Sequence, residues 1–140
     1  GLSLAHKHIP EMMARTGLQK RPIFMPIVAS FYKGLVVSVP LHLDALAPGA
    51  DAPALHKALR HHYEGERFIR VLPLSDPANL DDGYFDVQAC NDTNRCDLHV
   101  FGNADQVILM ARLDNLGKGA SGAAVQSMNV HLGVDEGLGL

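Results

Sequence analysis

The stretch Leu113 to Asn129, LDNLGKGASGAAVQSMN, constrains this chain more than any other. Gly117, Gly119 and Gly122 interrupt it, Lys118 is its one cation, and Val125, Met128 and Leu132 then recur at helical spacing. Glycines at these places allow a backbone turn that residues with a Cβ resist. Ser121 is placed to cap the helix by accepting a bond from a first-turn N–H. A glycine loop feeding a helix N-terminus presents free N–H groups and the positive end of the helix dipole, which suits an anion. The same spacing also fits a plain turn and cap. It is not a Walker A loop, because Gly119 rather than Ser or Thr follows Lys118. It is not the fingerprint of a first βαβ unit either, since too few residues follow Gly122 to build one.

The rest of the chain reads as short strands with a few helices. Gly1 to Ala5 is the tail of a strand or a loop, and Pro10 and Glu11 then open a short helix that Gly17 stops after Thr16. Ile23 to Ser30 is an apolar, strand-sized run that Pro22 and Pro26 interrupt. Leu35, Val37, Val39 and Leu41 alternate with more polar neighbours, as in a strand with one apolar face. Asp51 caps a helix reaching Tyr63, with Leu55 and Leu59 on its stripe. Phe68 to Leu74 is a strand, Ser75 to Tyr84 an acidic surface loop, and Asp86 to Cys90 a short strand. Cys96 to Phe101 and Val107 to Leu113 form a hairpin around Gly102-Asn103-Ala104-Asp105. From Gly133 the tail is loosely held. Strands in runs joined by tight turns predict an α+β domain, with a mixed, mostly antiparallel sheet and helices on one face.

Composition narrows the partners. The chain has 140 residues, 47% hydrophobic and 19% charged, and a net charge of −3, which suits one packed domain and gives no pull toward nucleic acid or an anionic membrane. No apolar run has the length of a membrane span, and no secretory signal is present. Cys90 and Cys96 therefore read as free thiols in a reducing, cytoplasmic compartment. The opening Gly-Leu-Ser, with a motif almost at once, suggests a fragment or a processed chain.

Histidine carries the clearest candidate chemistry. His6-Lys7-His8, on an extended backbone, turns both imidazoles to one side. They read as partly exposed junction residues, as a metal pair, or as a general acid–base group. No spacing supplies the further ligands a zinc site needs, so no metal is expected. Cys90 and Cys96 lie on strand-like segments and read as small buried hydrophobes. Asn115 fits a turn and Lys118 a solvated cation. Arg67, Arg70 and Arg95 are available to meet an anion. The remaining histidines, His99 among them, read as surface or core fillers.

Three segments resemble one family. DNLGKGASGAAVQSMN is similar to the C-terminal signature of N-acetyl-γ-glutamyl-phosphate reductases. AHKHIPEM, from Ala5 to Met12, resembles their His-x-His-x-Pro-Glu segment, and NDTNRCDLHVFGN, from Asn91 to Asn103, their Asn-Arg-Cys strand. The segments occur in the family's order and look closest to its shorter variety. The resemblance implies residues 1–140 as a catalytic and dimerisation domain of the glyceraldehyde-3-phosphate dehydrogenase-like C-terminal type. The N-terminal nucleotide-binding domain and the nucleophilic cysteine are absent from it. It implies an NADP-dependent oxidoreductase of arginine biosynthesis that reduces an acyl phosphate to the semialdehyde. His6 would be the acid–base group and His8 its neighbour, while Asn115, Lys118 and Gly119 would line the cofactor cleft. This chain alone would then be inactive. An aspartate-semialdehyde dehydrogenase-like enzyme and a non-enzymatic assembly module are the other readings. A domain parted from its partners exposes the surfaces that meet them, so the chain is expected to form homo-oligomers. Sedimentation velocity at high concentration checks this, and a strictly monomeric profile would count against it.

Overall fold

In a computed structural model residues 3–140 are described; Gly1 and Leu2, the head of the expected opening segment, lie outside the described residues. The chain forms two compact units, Gly1–Phe31 and Tyr32–Leu140.

The described residues of the first unit hold one helix, α1 (Ile9–Thr16). Pro10 sits in its first turn, and Gly17 ends it in the left-handed region at φ 71°, its N–H bonded to the Met13 carbonyl. Helix and stop fall where the sequence puts them. The apolar run from Ile23 onward forms no strand, and Ile23, Ile27 and Val28 are exposed. Pro22 and Pro26 cannot donate to a ladder, which removes this run from regular pairing.

The second unit contains β1 (Leu35–His42), α2 (Ala52–His62), β2 (Ile69–Val71), β3 (Cys96–Gly102), β4 (Gln106–Leu113) and α3 (Gly122–Leu132). The strands lie in the order β1-β4-β3-β2. β4 runs antiparallel to both β1 and β3, and β2 runs parallel to β3. This is the expected α+β arrangement with a mixed, mostly antiparallel sheet. The β3–β4 hairpin is closed by Asn103, whose side-chain oxygen accepts from the Asp105 and Gln106 amides at 2.9 and 2.8 Å. β2 is shorter than predicted. Its pairing continues irregularly through Leu72 and Ser75, whose amides donate to the Leu98 and Val100 carbonyls.

The two faces of the sheet are closed differently. On one, Val100 and Val107 pack under α2 through Ala52, Leu55 and Leu59. Asp51 caps α2 by accepting from the Ala54 amide at 2.7 Å. Gly102 lets the helix start approach, since a Cβ there would lie 2.6 Å from that of Ala52. This helix covers only the Leu41 end of β1. Leu35, Val37 and Val39, the predicted apolar face, are exposed on an edge strand. On the other face, the segment predicted as a strand from Asp86 to Cys90 is a turn instead. The residue just before that segment covers the sheet: Phe85 packs edge-on to His99, with 4.9 Å between ring centroids, and the Arg112 guanidinium lies 4.9 Å from the Phe85 centroid.

The C-terminal tail is held, contrary to expectation. Arg67 binds Asp135 at 2.7 and 2.9 Å, and the Asn129 side-chain amide donates to the Glu136 and Leu138 carbonyls. No helix among the described residues is long and apolar enough to cross a membrane.

His99 is no filler. Its ring is buried between Phe85 and Phe101, and neither ring nitrogen has a partner among the described residues. Burial, with Arg112 adding to it, pushes its pKa down to about 4. In the unfolded chain the ring titrates at ~6.5. Between these values the unfolded chain binds a proton that the folded chain refuses. Stability is therefore complete above the unfolded value and falls as pH drops through the window, by at most ~3 kcal/mol. Urea midpoints compared at neutral and mildly acidic pH should show this loss in the native chain and a smaller one in His99→Phe.

Candidate functional site: the glycine turn and the histidine turn

β4 delivers the chain to Asp114, and the organisation of the glycine turn begins there. The Asp114 side chain is buried. Its Oδ1 accepts from the Leu116 and Gly117 amides at 2.8 and 3.0 Å, and its Oδ2 accepts from the Asp92 amide at 2.9 Å. Burial works to raise its pKa, but these amides and the nearby Lys33 ammonium outweigh it and hold the carboxyl below the usual range. Gly117–Ser121 then winds as one wide π-type turn into α3. The Gly119 amide donates to the Asp114 carbonyl and the Ser121 amide to the Leu116 carbonyl.

This corrects two expectations. Ser121 is not the cap: it is itself helical, and its hydroxyl donates back to the Leu116 carbonyl at 2.8 Å. The amides of Leu116, Gly117, Gly119 and Ser121 are not free for an anion, because the chain's own oxygens hold them. The glycines serve close approach rather than unusual torsion angles. A Cβ on Gly117 would meet the Thr93 carbonyl oxygen at 3.2 Å, one on Gly119 the Leu113 side chain at 3.0 Å, and one on Gly122 the Asn94 side-chain oxygen.

Asn115, Lys118 and Gly119 sit together on this turn. The Asn115 side-chain oxygen accepts from the Gly34 amide at 2.8 Å, tying the turn to the start of β1. Lys118 is a solvated cation only in part: its Nζ donates to Gln126 at 2.5 Å and stands 5.6 Å from the Phe68 ring centroid. Gln126 also accepts from Asn94 and donates to Glu136. Gly119 and Ala120 form the exposed edge of the turn.

His6 and His8 come together in the other unit, through a turn rather than an extended run. Their ring centroids are 4.7 Å apart, and Phe24 packs edge-on to His6 at 5.0 Å. The His8 amide donates to His6 Nδ1 at 3.3 Å. An accepting Nδ1 places the ring proton of neutral His6 on Nε2. That ring is a donor at Nε2, and it can take a proton there only in the other tautomer, which gives up the long bond from His8.

The two cysteines are buried, and burial is the first cause pushing both thiols up, away from the reactive thiolate. Among the described residues no group of three or more His, Cys, Asp or Glu is placed to hold a metal ion. Sequence reasoning missed Asp114, although an Asp-Asn pair before a glycine turn is an Asx-turn signal. It also missed Asp97, fully buried on β3, which gathers Arg70, Arg95 and Arg112. Burial works to raise this carboxyl, yet Arg70 and Arg95 hold it well below the usual carboxylate range.

A family model described as "Semialdehyde dehydrogenase, dimerisation domain" matches residues 1–115. The chain is 47% identical to N-acetyl-gamma-glutamyl-phosphate reductase 2 of Nostoc sp., over all of this chain and 44% of that protein. It is 48% identical to N-acetyl-gamma-glutamyl-phosphate reductase of Burkholderia ambifaria, over 96% of this chain and 42% of that protein. A relative of the same name from Rhizobium etli is 47% identical over 94% of this chain and 43% of that protein. The chain thus spans under half the length of these curated relatives.

Asp114→Ala would leave three part-buried amides without their acceptor, at a cost of about 1–3 kcal/mol. Asp114→Asn keeps one accepting oxygen and should lose less. Urea denaturation measures both, and hydrogen exchange should speed up first at Leu116 to Gly122 in the alanine variant.

Proposed function

This chain belongs to the semialdehyde dehydrogenase dimerisation-domain family, with its glyceraldehyde-3-phosphate dehydrogenase-like C-terminal fold, and from that we propose its activity. We propose that it is the C-terminal part of an N-acetyl-γ-glutamyl-phosphate reductase. The full protein would reduce N-acetyl-γ-glutamyl phosphate to the semialdehyde with NADPH, releasing phosphate, in cytoplasmic arginine biosynthesis. The observation that carries this reading is likeness from end to end, near half identity, to proteins bearing that name.

The nucleophilic cysteine and the nucleotide-binding domain would lie in the part of the protein outside residues 1–140. Neither Cys90 nor Cys96 suits the role, since both thiols are buried and pushed up. His6 is assigned the proton transfer. Its Nε2 makes no hydrogen bond among the described residues, and an N–H there would donate to the oxygen that gains charge when a thiolate attacks the acyl carbon. His8 supports it by fixing Nδ1 through the backbone amide. The base step needs the other tautomer, and a bond of 3.3 Å is weak enough to give way.

NADPH would supply the hydride. The fit of the glycine turn to it is partial and specific. Among the described residues the Asn115 side-chain NH2 makes no hydrogen bond, while its oxygen anchors the turn, and Gly119 offers exposed backbone beside it. These two would line the cofactor. Lys118, bonded to Gln126, would brace the turn and add positive charge at its edge. α3 supports a docking role as well. Its packed positions are Gly122 and Asn129, while Met128, Val130 and Leu132 are exposed. That apolar surface would meet the nucleotide-binding domain, and a second copy would complete a homo-oligomer.

NADPH oxidation by the full-length protein tests the reading, with N-acetyl-γ-glutamyl phosphate and aspartyl phosphate side by side. Strong preference for the first is expected, with kcat falling by about 10²–10⁴ in His6→Asn, the usual contribution of a positioned acid–base group. Preference for aspartyl phosphate would move the protein to the aspartate-semialdehyde dehydrogenases. The 140-residue chain alone should show no turnover.

A further inference from the structure

Arg70, Asp97 and Arg112 stand side by side in one row across β2, β3 and β4, on the face away from α2. Arg70 forks onto Asp97, Nε to Oδ1 at 2.8 Å and Nη2 to Oδ2 at 2.7 Å. Arg95 reaches Oδ1 through Nε at 2.9 Å from the loop before β3, and Arg112 reaches Oδ2 through Nη2 at 3.2 Å. Among the described residues no other carboxylate pairs with these three guanidinium groups. One negative charge thus faces three positive ones, around a carboxylate with no exposure. Unmatched charge in such a place is unfavourable until a counter-charge arrives.

The donors left over point to what that counter-charge is. Arg95 Nη2 is taken by the Ala89 carbonyl and Arg112 Nη1 by the Asp86 carbonyl. Arg70 Nη1 and Arg95 Nη1 make no hydrogen bond within the described residues, and Arg112 Nε is buried without a partner. The Arg70 side chain is 50% exposed and that of Arg95 27%, so their unpaired ends can be reached from solvent. Planar guanidinium forks match carboxylate and phosphate oxygens and match little else as well.

We propose that Arg70 and Arg95, backed by Arg112 and held in place by Asp97, form a binding site for an oxyanion. Its ligand is the carboxylate or phosphate group of a small molecule. The site rests on the charge and geometry of this cluster and not on the reaction proposed above, so either can fail alone.

Thermal melts of the intact protein that carries this chain test it. Inorganic phosphate and glutarate are titrated at constant ionic strength, with sodium chloride as the control. The expected result is a rise in Tm of about 5 °C over chloride near saturation, as mass action gives for a ligand well above its Kd. Arg70→Gln/Arg95→Gln should lose most of that rise, and Arg60→Gln, on α2 outside the cluster, should keep it. If the double variant does not fold, each single variant is read against the native protein, with Arg70→Gln first because that side chain is half exposed. A rise with only one of the two anions supports the site and names its class. No rise over chloride in the native protein, or an equal rise in the variants that lack Arg70 or Arg95, overturns the proposal.

Discussion

One carboxylate, that of Asp114, decides where the sheet ends and the last helix begins. Its two oxygens take amides from both sides of the same crossing: Leu116 and Gly117 ahead of it, and Asp92 in the loop that precedes β3. β4, the wide turn and the Asp92 loop are therefore joined at one buried point. Lys33, just before β1, adds a fourth connection by pairing with Asp92 and approaching Asp114 at 3.8 Å. Charge-assisted bonds from several amides to one carboxylate are stronger than neutral ones, and a buried acceptor with several donors is costly to disturb. Every residue assigned to the turn, Asn115, Lys118 and Gly119, takes its position from this anchor.

Much of this was legible in the sequence where the pattern is local. Gly17 stops α1, Asp51 caps α2, and the alternation around Gly102-Asn103 gives the β3–β4 hairpin, because each signal lies within a few residues of its effect. What escaped depends on partners far apart in the chain. Asp97 reads on its strand as an ordinary outward polar residue, until β2 and β4 bring Arg70 and Arg112 beside it. Ser121 looks like a cap when only the helix is considered, but the helical path starts earlier and Asp114 reaches it first. The Asp86 to Cys90 run has strand composition, yet it turns, and Asp86 with Phe85 just before it lies over a polar sheet face. The candidate histidines were found by spacing, but their shared turn and the bond fixing His6 were not, since a His-x-His pattern is compatible with either backbone.

The two faces of the sheet divide the labour. Under α2 the contacts are aliphatic and non-directional, and they tolerate exchange of similar volumes. On the opposite face the contacts are directional: an Arg-Asp-Arg row, a histidine between phenylalanines and guanidinium over an aromatic ring. Directional contacts fix angles as well as distances, so this face sets strand register more tightly than the aliphatic one.

The space that Gly122 leaves empty is bordered by Asn94, whose side-chain oxygen would collide with a Cβ there and has no hydrogen-bond partner among the described residues. Two positions, one before β3 and one at the head of α3, thus share a single volume. Neither can be altered in size without regard to the other. A redesign that enlarges residue 122 has to shrink residue 94 in the same step, and it then loses the amide that Asn94 gives to Gln126. The shape of the turn is in this sense inherited as a pair.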